Sequence, residues 1–282
     1  MKKYSIPLIV LTLALMAGCD KIDRNEYLTA TGGNSAGSDW TNGGTQRALV
    51  EKYTGPRCIN CPLADETLDA LHGQYHDNLV IVAITPYDNT MADPFPHQLD
   101  PRTAVGTTWA EYFGISRLPA AYINRDQSTM YDGAMDNIGS AIGTVLAKEP
   151  YIDLSISATP DILTDDTVGH NVTVKVGIEV LKSIEGPFTF TLLMTEDSLV
   201  YRQSSPDGGV ISDYPHNHIL RDVLTSTWGE EIPLTGTAGE YRSKTYNYTV
   251  ADSINVRNCN FVGFISRKND RTVINCCQQS IR

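Results

Sequence analysis

The four residues Cys58-Ile59-Asn60-Cys61 constrain this chain most, because of what flanks them. Ala48-Leu49-Val50-Glu51-Lys52-Tyr53 upstream reads as a strand, and Thr54-Gly55-Pro56-Arg57 as a short turn. The run from Pro62 to Leu71 downstream has helical spacing. A strand, a turn and two cysteines three apart at a helix start are the arrangement of a thiol–disulfide site. Helix-start amides stabilise an anion, so a thiolate there has a depressed pKa and attacks better. In that chemistry Cys58 is the outer, attacking sulfur, and Cys61 resolves the mixed disulfide. Arg57 adds positive charge that favours the thiolate, and Pro62 fits the first helical turn. The alternative is a static disulfide in an exported protein. A zinc site would want a second Cys or His pair.

The N-terminus places the chain outside the cytosol. Lys2 and Lys3 form a basic start, Ile6–Ala14 an apolar stretch, and Ala17-Gly18 a small-residue cleavage point, so residues 1–18 read as a signal peptide. Leu15-Met16-Ala17-Gly18-Cys19 resembles a bacterial lipobox, although Met16 stands where Leu is usual. That resemblance implies lipidation of Cys19 and a lipid anchor as the membrane attachment. Residues 19–45 are rich in Gly, Ser, Asn and Thr and read as a flexible tether. A coil of this length spans on the order of 25–30 Å. The net charge of −11, with no basic stripe, argues against nucleic acid as a partner.

Two halves follow with different patterns. Residues 46–149 alternate strand and helix: a strand at Ala48–Tyr53, a helix at Cys61–Tyr75, a continuous apolar strand at Leu79–Ile84, a helix at Thr107–Phe113, a strand at Ala120–Asn124 and a helix at Ala134–Lys148. This is an α/β layer pattern. Residues 150–282 carry many short alternating segments, among them Tyr151–Ala158, Val172–Val180, Phe188–Met194, Tyr241–Val250 and Phe261–Ser266, with a hairpin turn at Asn269-Asp270. Strands without a long helix predict an all-β, antiparallel β-sandwich.

The first half resembles the thioredoxin superfamily, on Cys58-Ile59-Asn60-Cys61-Pro62 after a strand and on Gly114-Ile115-Ser116-Arg117-Leu118-Pro119 before one. The resemblance implies a thioredoxin-like domain, a cis Leu118-Pro119 bond beside the dithiol, and a substrate groove that includes Arg57 and Leu118. The longer pattern Glu51–Pro62, with His216-Asn217-His218-Ile219-Leu220-Arg221 and Phe261–Ser266, looks like the outer-membrane-protein-28-related lipoproteins. That resemblance implies an envelope lipoprotein, outer-membrane or surface, with a thioredoxin-like domain and a β-rich domain; it implies no defined reaction. Arg57 stands where an aromatic residue is usual, and Lys52 where a buried carboxylate often tunes proton transfer. The chain also runs long between Ile84 and Trp109, through Pro86, Pro94, Pro96 and Pro101, near the expected active-site end.

Other constellations weigh less. His216 and His218 lie two apart, as strand neighbours sharing a metal would, but only Asp213 and Asp222 lie near; the preferred reading is a strand junction with His218 and Arg221 hydrogen-bonding across the interface between the halves. Cys259, Cys276 and Cys277 flank the final hairpin, and a small bulge would bring Cys259 to either partner for a disulfide. No metal and no cofactor is expected. Two functions remain open: thiol–disulfide exchange on exported protein clients, or a non-enzymatic binding or adhesion lipoprotein that keeps the cysteines as a staple and meets a partner at the surface.

Overall fold

The computed structural model of the protein describes residues 44–281 apart from 134 and 165. The expected signal peptide, Cys19 and nearly all of the tether lie outside the described residues. The first half contains β1 (Ala48–Tyr53), α1 (Cys61–Tyr75), β2 (Leu79–Ile84), α2 (Ala104–Tyr112), β3 (Ala120–Ile123), β4 (Tyr131–Asp132) and α3 (Ile138–Leu146). The second contains β5 (Ile152–Pro160), β6 (Asn171–Val180), β7 (Phe188–Glu196), β8 (Leu199–Ser204), β9 (Val210–His216), β10 (Ile219–Val223), β11 (Glu230–Ile232), β12 (Tyr241–Thr249), β13 (Cys259–Arg267) and β14 (Val273–Ser280). Helix α2 starts at Ala104, earlier than the apolar spacing predicts, because the Thr103 hydroxyl accepts from the Gly106 amide and caps it. Helix α3 starts only at Ile138, because Asn137 sits in the left-handed region at φ 63°.

Strands from both halves share one nine-stranded mixed sheet, in the order β14-β13-β7-β10-β2-β1-β3-β4, with β11 also paired to β7. Within it β1 and β2 run parallel, while β3 is antiparallel to both β1 and β4. The join between the halves is short: Ile219 of β10 pairs with Ala83 of β2, and the Ala83 amide donates to the His218 carbonyl. A second sheet, β12-β6-β5, is antiparallel throughout. The architecture is therefore mixed α/β with a large share of strand, and neither sheet closes on itself. The second half was expected to form its own sandwich. It does set two antiparallel layers face to face, β14-β13-β7-β10 with β11 against β5-β6-β12, but the first of these layers also continues the first half's sheet. Period-two alternation specifies a strand and its inward face, but not which strand it will lie beside.

Alternation within the shared sheet divides the core into layers. Leu49, Tyr53, Val80, Val82, Leu193, Val262 and Phe264 point to the face covered by α2. On the opposite face Ala48, Val50, Leu79 and Ile81 pack against α1 and α3, while Phe190, Leu192, Phe261 and Ile265 pack against β5 and β6. Strands β1, β2 and β7 are buried along their whole length, as strands covered on both faces must be.

The same alternation corrects the expected C-terminal disulfide. Cys259, Cys276 and Cys277 are free, buried thiols. Gly263 lies opposite Cys277 and Phe264 opposite Cys276, and the Ile281 amide donates to the Cys259 carbonyl. A bulge is present, between Ile265 and Ser266, but it moves Cys259 farther from its candidate partners. Cys276 and Cys277 enter different layers, one against α2 and one against the smaller sheet. Burial pushes the Cys259 and Cys277 thiols up to about 12, and Cys276 upward as well, which leaves all three unreactive.

Candidate functional site

Cys58 and Cys61 are joined in a disulfide, with Cα atoms 5.4 Å apart. The turn that presents them is tight: the Cys58 amide donates to the Gly55 carbonyl, and the Cys61 amide to the Cys58 carbonyl. Cys61 opens α1, with Pro62 in its first turn, as the sequence predicts. Leu118-Pro119 is a cis bond, and Leu118 lies in the same apolar cluster as both cysteines.

The expected accessibility of the outer sulfur is overturned. Cys58 is 1% exposed and Cys61 0%. Two segments cover the pair. The first is the long connection after β2, whose Met91 carbonyl accepts from the Arg57 amide. That connection presses so closely on Gly55 that a Cβ there would lie 2.4 Å from the Met91 oxygen, so only glycine fits. The second is the β8–β9 hairpin. Its buried Gln203 donates through Nε2 to the Cys58 carbonyl at 2.8 Å and the Gly55 carbonyl at 3.3 Å, and the Ser204 amide donates to the Pro56 carbonyl. Sequence reasoning missed this hairpin, although Pro206-Asp207-Gly208-Gly209 is a turn signal between two alternating runs.

Arg57, next to Cys58, directs its guanidinium to the long connection. Its guanidinium donates to the carbonyls of Asp93 and Pro94 and lies 4.6 Å from the centre of the Phe95 ring. Arg202 of β8 takes the same ring from 5.4 Å and donates to the Pro96 carbonyl. The two arginines clamp the long connection over the disulfide, because a guanidinium satisfies carbonyls and stacks on a ring at once.

The charged groups beneath the site lie in two layers. Lys52 pairs with Asp65 of α1, and Tyr214 of β9 donates to the same carboxylate. Burial lowers the Lys52 pKa to about 8. Glu51, on the other face of β1, accepts two bonds from Arg125, at 2.8 and 2.6 Å, in a fully buried ion pair. His218 and Arg221, expected to bridge the halves, divide that role. His218 does bridge, through its carbonyl to Ala83, while its amide donates to Asp197. Arg221 instead pairs at 3.5 Å with Glu196 of β7, in its own half, because β10 lies against β7. Among the described residues no cluster of His, Cys, Asp and Glu is arranged to hold a metal.

His216 makes the hairpin sensitive to acid. Its ring stacks on Tyr201, with centroids 3.5 Å apart and 10° between planes. Burial first, and then the nearby Lys52 ammonium, lower its pKa to about 3. The released ring titrates near 6.5. The docked ring therefore stays neutral where the free ring takes up a proton. Docking stability is full above about pH 6.5 and falls as pH drops toward 3. At about pH 5 the loss is about 2 kcal/mol. Hydrogen-exchange protection of the β9 amides, compared with a His216→Phe variant that keeps the stacked ring, should fall roughly 30-fold between neutral pH and pH 5. Equal pH dependence in the two proteins would show that His216 is not the titrating group.

Comparisons with known proteins agree with this architecture. HBP35 of Porphyromonas gingivalis superposes with a TM-score of 0.62 at 15% identity, covering 84% of this chain and 76% of that one. A protein of Agrobacterium tumefaciens superposes with a TM-score of 0.50 at 14% identity, covering 83% and 94%. At these identities the likeness is one of fold alone. A domain of the outer membrane lipoprotein Omp28 from Porphyromonas gingivalis is also similar, at 18% identity over 47% of this chain and 89% of that one, with a TM-score of 0.32. No curated protein matches the chain. Among the described residues no helix is long and apolar enough to cross a membrane. The family model of Outer membrane protein Omp28 matches residues 107–282, from within α2 to the last strand and beyond. On that match, the chain belongs to the Outer membrane protein Omp28 family.

Proposed function

We propose that the protein is an exported, lipid-anchored protein of the cell envelope that binds a partner polypeptide and keeps its paired cysteines as a structural staple. The lipid anchor rests on the Met16-Ala17-Gly18-Cys19 sequence, and the outer-membrane setting on the family. In this reading residues 46–149 are a thioredoxin-like unit. Supporting it are the order β2-β1-β3-β4, the parallel β1–β2 pair, and the cysteines at the start of the helix that follows β1.

The observation that carries the binding reading is the sealed disulfide. Both sulfurs are buried, and Gln203 is bonded to the carbonyl of the residue that would have to attack a client. Thiol–disulfide exchange needs attack at an accessible sulfur, and here both are buried, with the hairpin bonded to the turn that carries Cys58. The competing reading is exchange on exported clients, with Cys58 attacking and Cys61 resolving. It draws on Leu118 in the cysteines' apolar cluster and requires the hairpin to lift.

Insulin reduction with dithiothreitol separates the two. The native protein and Cys58→Ser should give the same turbidity curve. The disulfide's reduction potential should be more negative than about −300 mV, as for structural bridges in exported proteins. A curve accelerated by the native protein alone, or a Cys61→Ser variant that accumulates mixed disulfides on Cys58, would establish exchange instead.

A further inference from the structure

An exposed apolar surface lies over the sealed disulfide. Ile59 and Leu63 are 50% exposed, Met91 45%, Val210 50% and Ile211 38%. Bonds already described bring these residues together. Met91 is bonded to Arg57, two positions before Ile59. Ile211 lies opposite Gln203, which is bonded to Cys58, and Val210 opposite Ser204, which is bonded to Pro56. Tyr214 reaches Asp65, two positions after Leu63.

Two further features describe what this surface would take. The β8–β9 hairpin is a two-stranded sheet on its own, and no described strand pairs with the outer edge of β9. Val210, Ile211 and Ser212 on that edge are all uncharged, and all three are exposed. An unpaired edge with aliphatic side chains is a template for an added strand unless charge or proline blunts it. Here Asp213 and Pro215 blunt only its far end. The surroundings are acidic. Residues 57–75, 86–103 and 199–216 together hold eight carboxylates against three arginines. Two of those arginines, Arg57 and Arg202, donate to backbone carbonyls of the long connection, and Arg102 is held by Asp93 and Asp100. Glu66, Asp69, Asp207 and Asp213 remain exposed around the apolar patch.

We infer that this surface binds an extended segment of a partner polypeptide, with alternating aliphatic and cationic side chains, added as a strand along the outer edge of β9. The inference rests on the reading of the protein as a binder and names the chemistry of what it binds. Main-chain bonds to the edge would supply affinity. The aliphatic side chains would cover Ile59, Leu63 and Ile211 on one face of the hairpin, and the cations, their stems over Val210 on the other face, would meet the surrounding carboxylates.

The test is fluorescence anisotropy with a labelled peptide of alternating lysine and valine, titrated with the whole protein. Binding should saturate and weaken as salt is raised. Val210→Ser with Ile211→Ser should weaken it about tenfold, the loss of roughly 1.4 kcal/mol of apolar contact at two exposed sites. Both positions are exposed, so thermal unfolding should not move. Methylating alternate peptide nitrogens should abolish binding, because it removes the donors an added strand needs. Absence of binding, equal binding to the double variant, or equal binding of a glutamate–valine peptide would each overturn the inference. So would sedimentation showing dimers that the double substitution dissociates, since the face would then belong to a second copy. The probe has no cysteine, so its binding stands or falls independently of the insulin assay.

Discussion

Replacing Glu51 with glutamine should lower the stability of the protein by about 3–5 kcal/mol, the usual consequence of removing one partner of a buried ion pair. Among the described residues Arg125 has no carboxylate partner other than Glu51. Its side chain is as buried as that of Glu51, and it lies 4.6 Å from the Trp109 ring centre and 4.7 Å from that of Phe264. Those rings attract the cation but cannot replace the two charge-assisted bonds that Glu51 accepts. At about 2–4 °C per kcal/mol for a chain of this size, the midpoint of thermal unfolding should fall by roughly 10 °C. Glu51→Met combined with Arg125→Met should recover most of the loss, because two apolar side chains leave no buried charge. A single-variant shift within about 2 °C of the native midpoint would mean that water reaches the guanidinium.

Asn275→Leu should have an effect of similar size, through the backbone rather than through charge. Asn275 is fully buried in β14. Its side-chain carbonyl accepts from the amides of Arg47 and Cys276, and its amide donates to the carbonyls of Thr45 and Ile152. One side chain thus ties the segment entering β1, the start of β5 and the last strand together. Leucine is close in volume but answers none of these groups. Each buried group left unmatched costs about 1–3 kcal/mol, so a loss near 4 kcal/mol is expected from chemical denaturation. Asn275→Asp keeps the acceptor but loses the donor, and should lie between. A loss below about 1 kcal/mol would show that solvent enters at this junction.

The sequence foretells elements here better than neighbours. The boundaries of α1 and β2 coincide with expectation, because Pro62 marks a helix start and Leu79–Ile84 is an unbroken apolar run. The alternating run around Val172–Val180 likewise becomes β6. Pairing was not legible in the same way. Nothing local to Phe261–Ser266 says that it will lie beside β7, or that β7 will connect through β10 to β2. The site shows the same division. The position of the cysteines at the start of a helix is written in four residues. Their burial is not, because it depends on Gln203 and Met91, far off in the chain. Arg125 was equally hidden, since a single arginine after a strand signals nothing until Glu51 is seen to face it.

The seam between Ile219 and Ala83 has a consequence for how the protein is made. Strand β2 is synthesised well before β10, and until β10 arrives its outward backbone groups have no neighbour in the order β10-β2-β1. A growing chain therefore carries an uncapped ribbon edge through much of its synthesis, the kind of surface that recruits the wrong strand. Holding factors that shield such an edge should therefore raise the yield of folded protein.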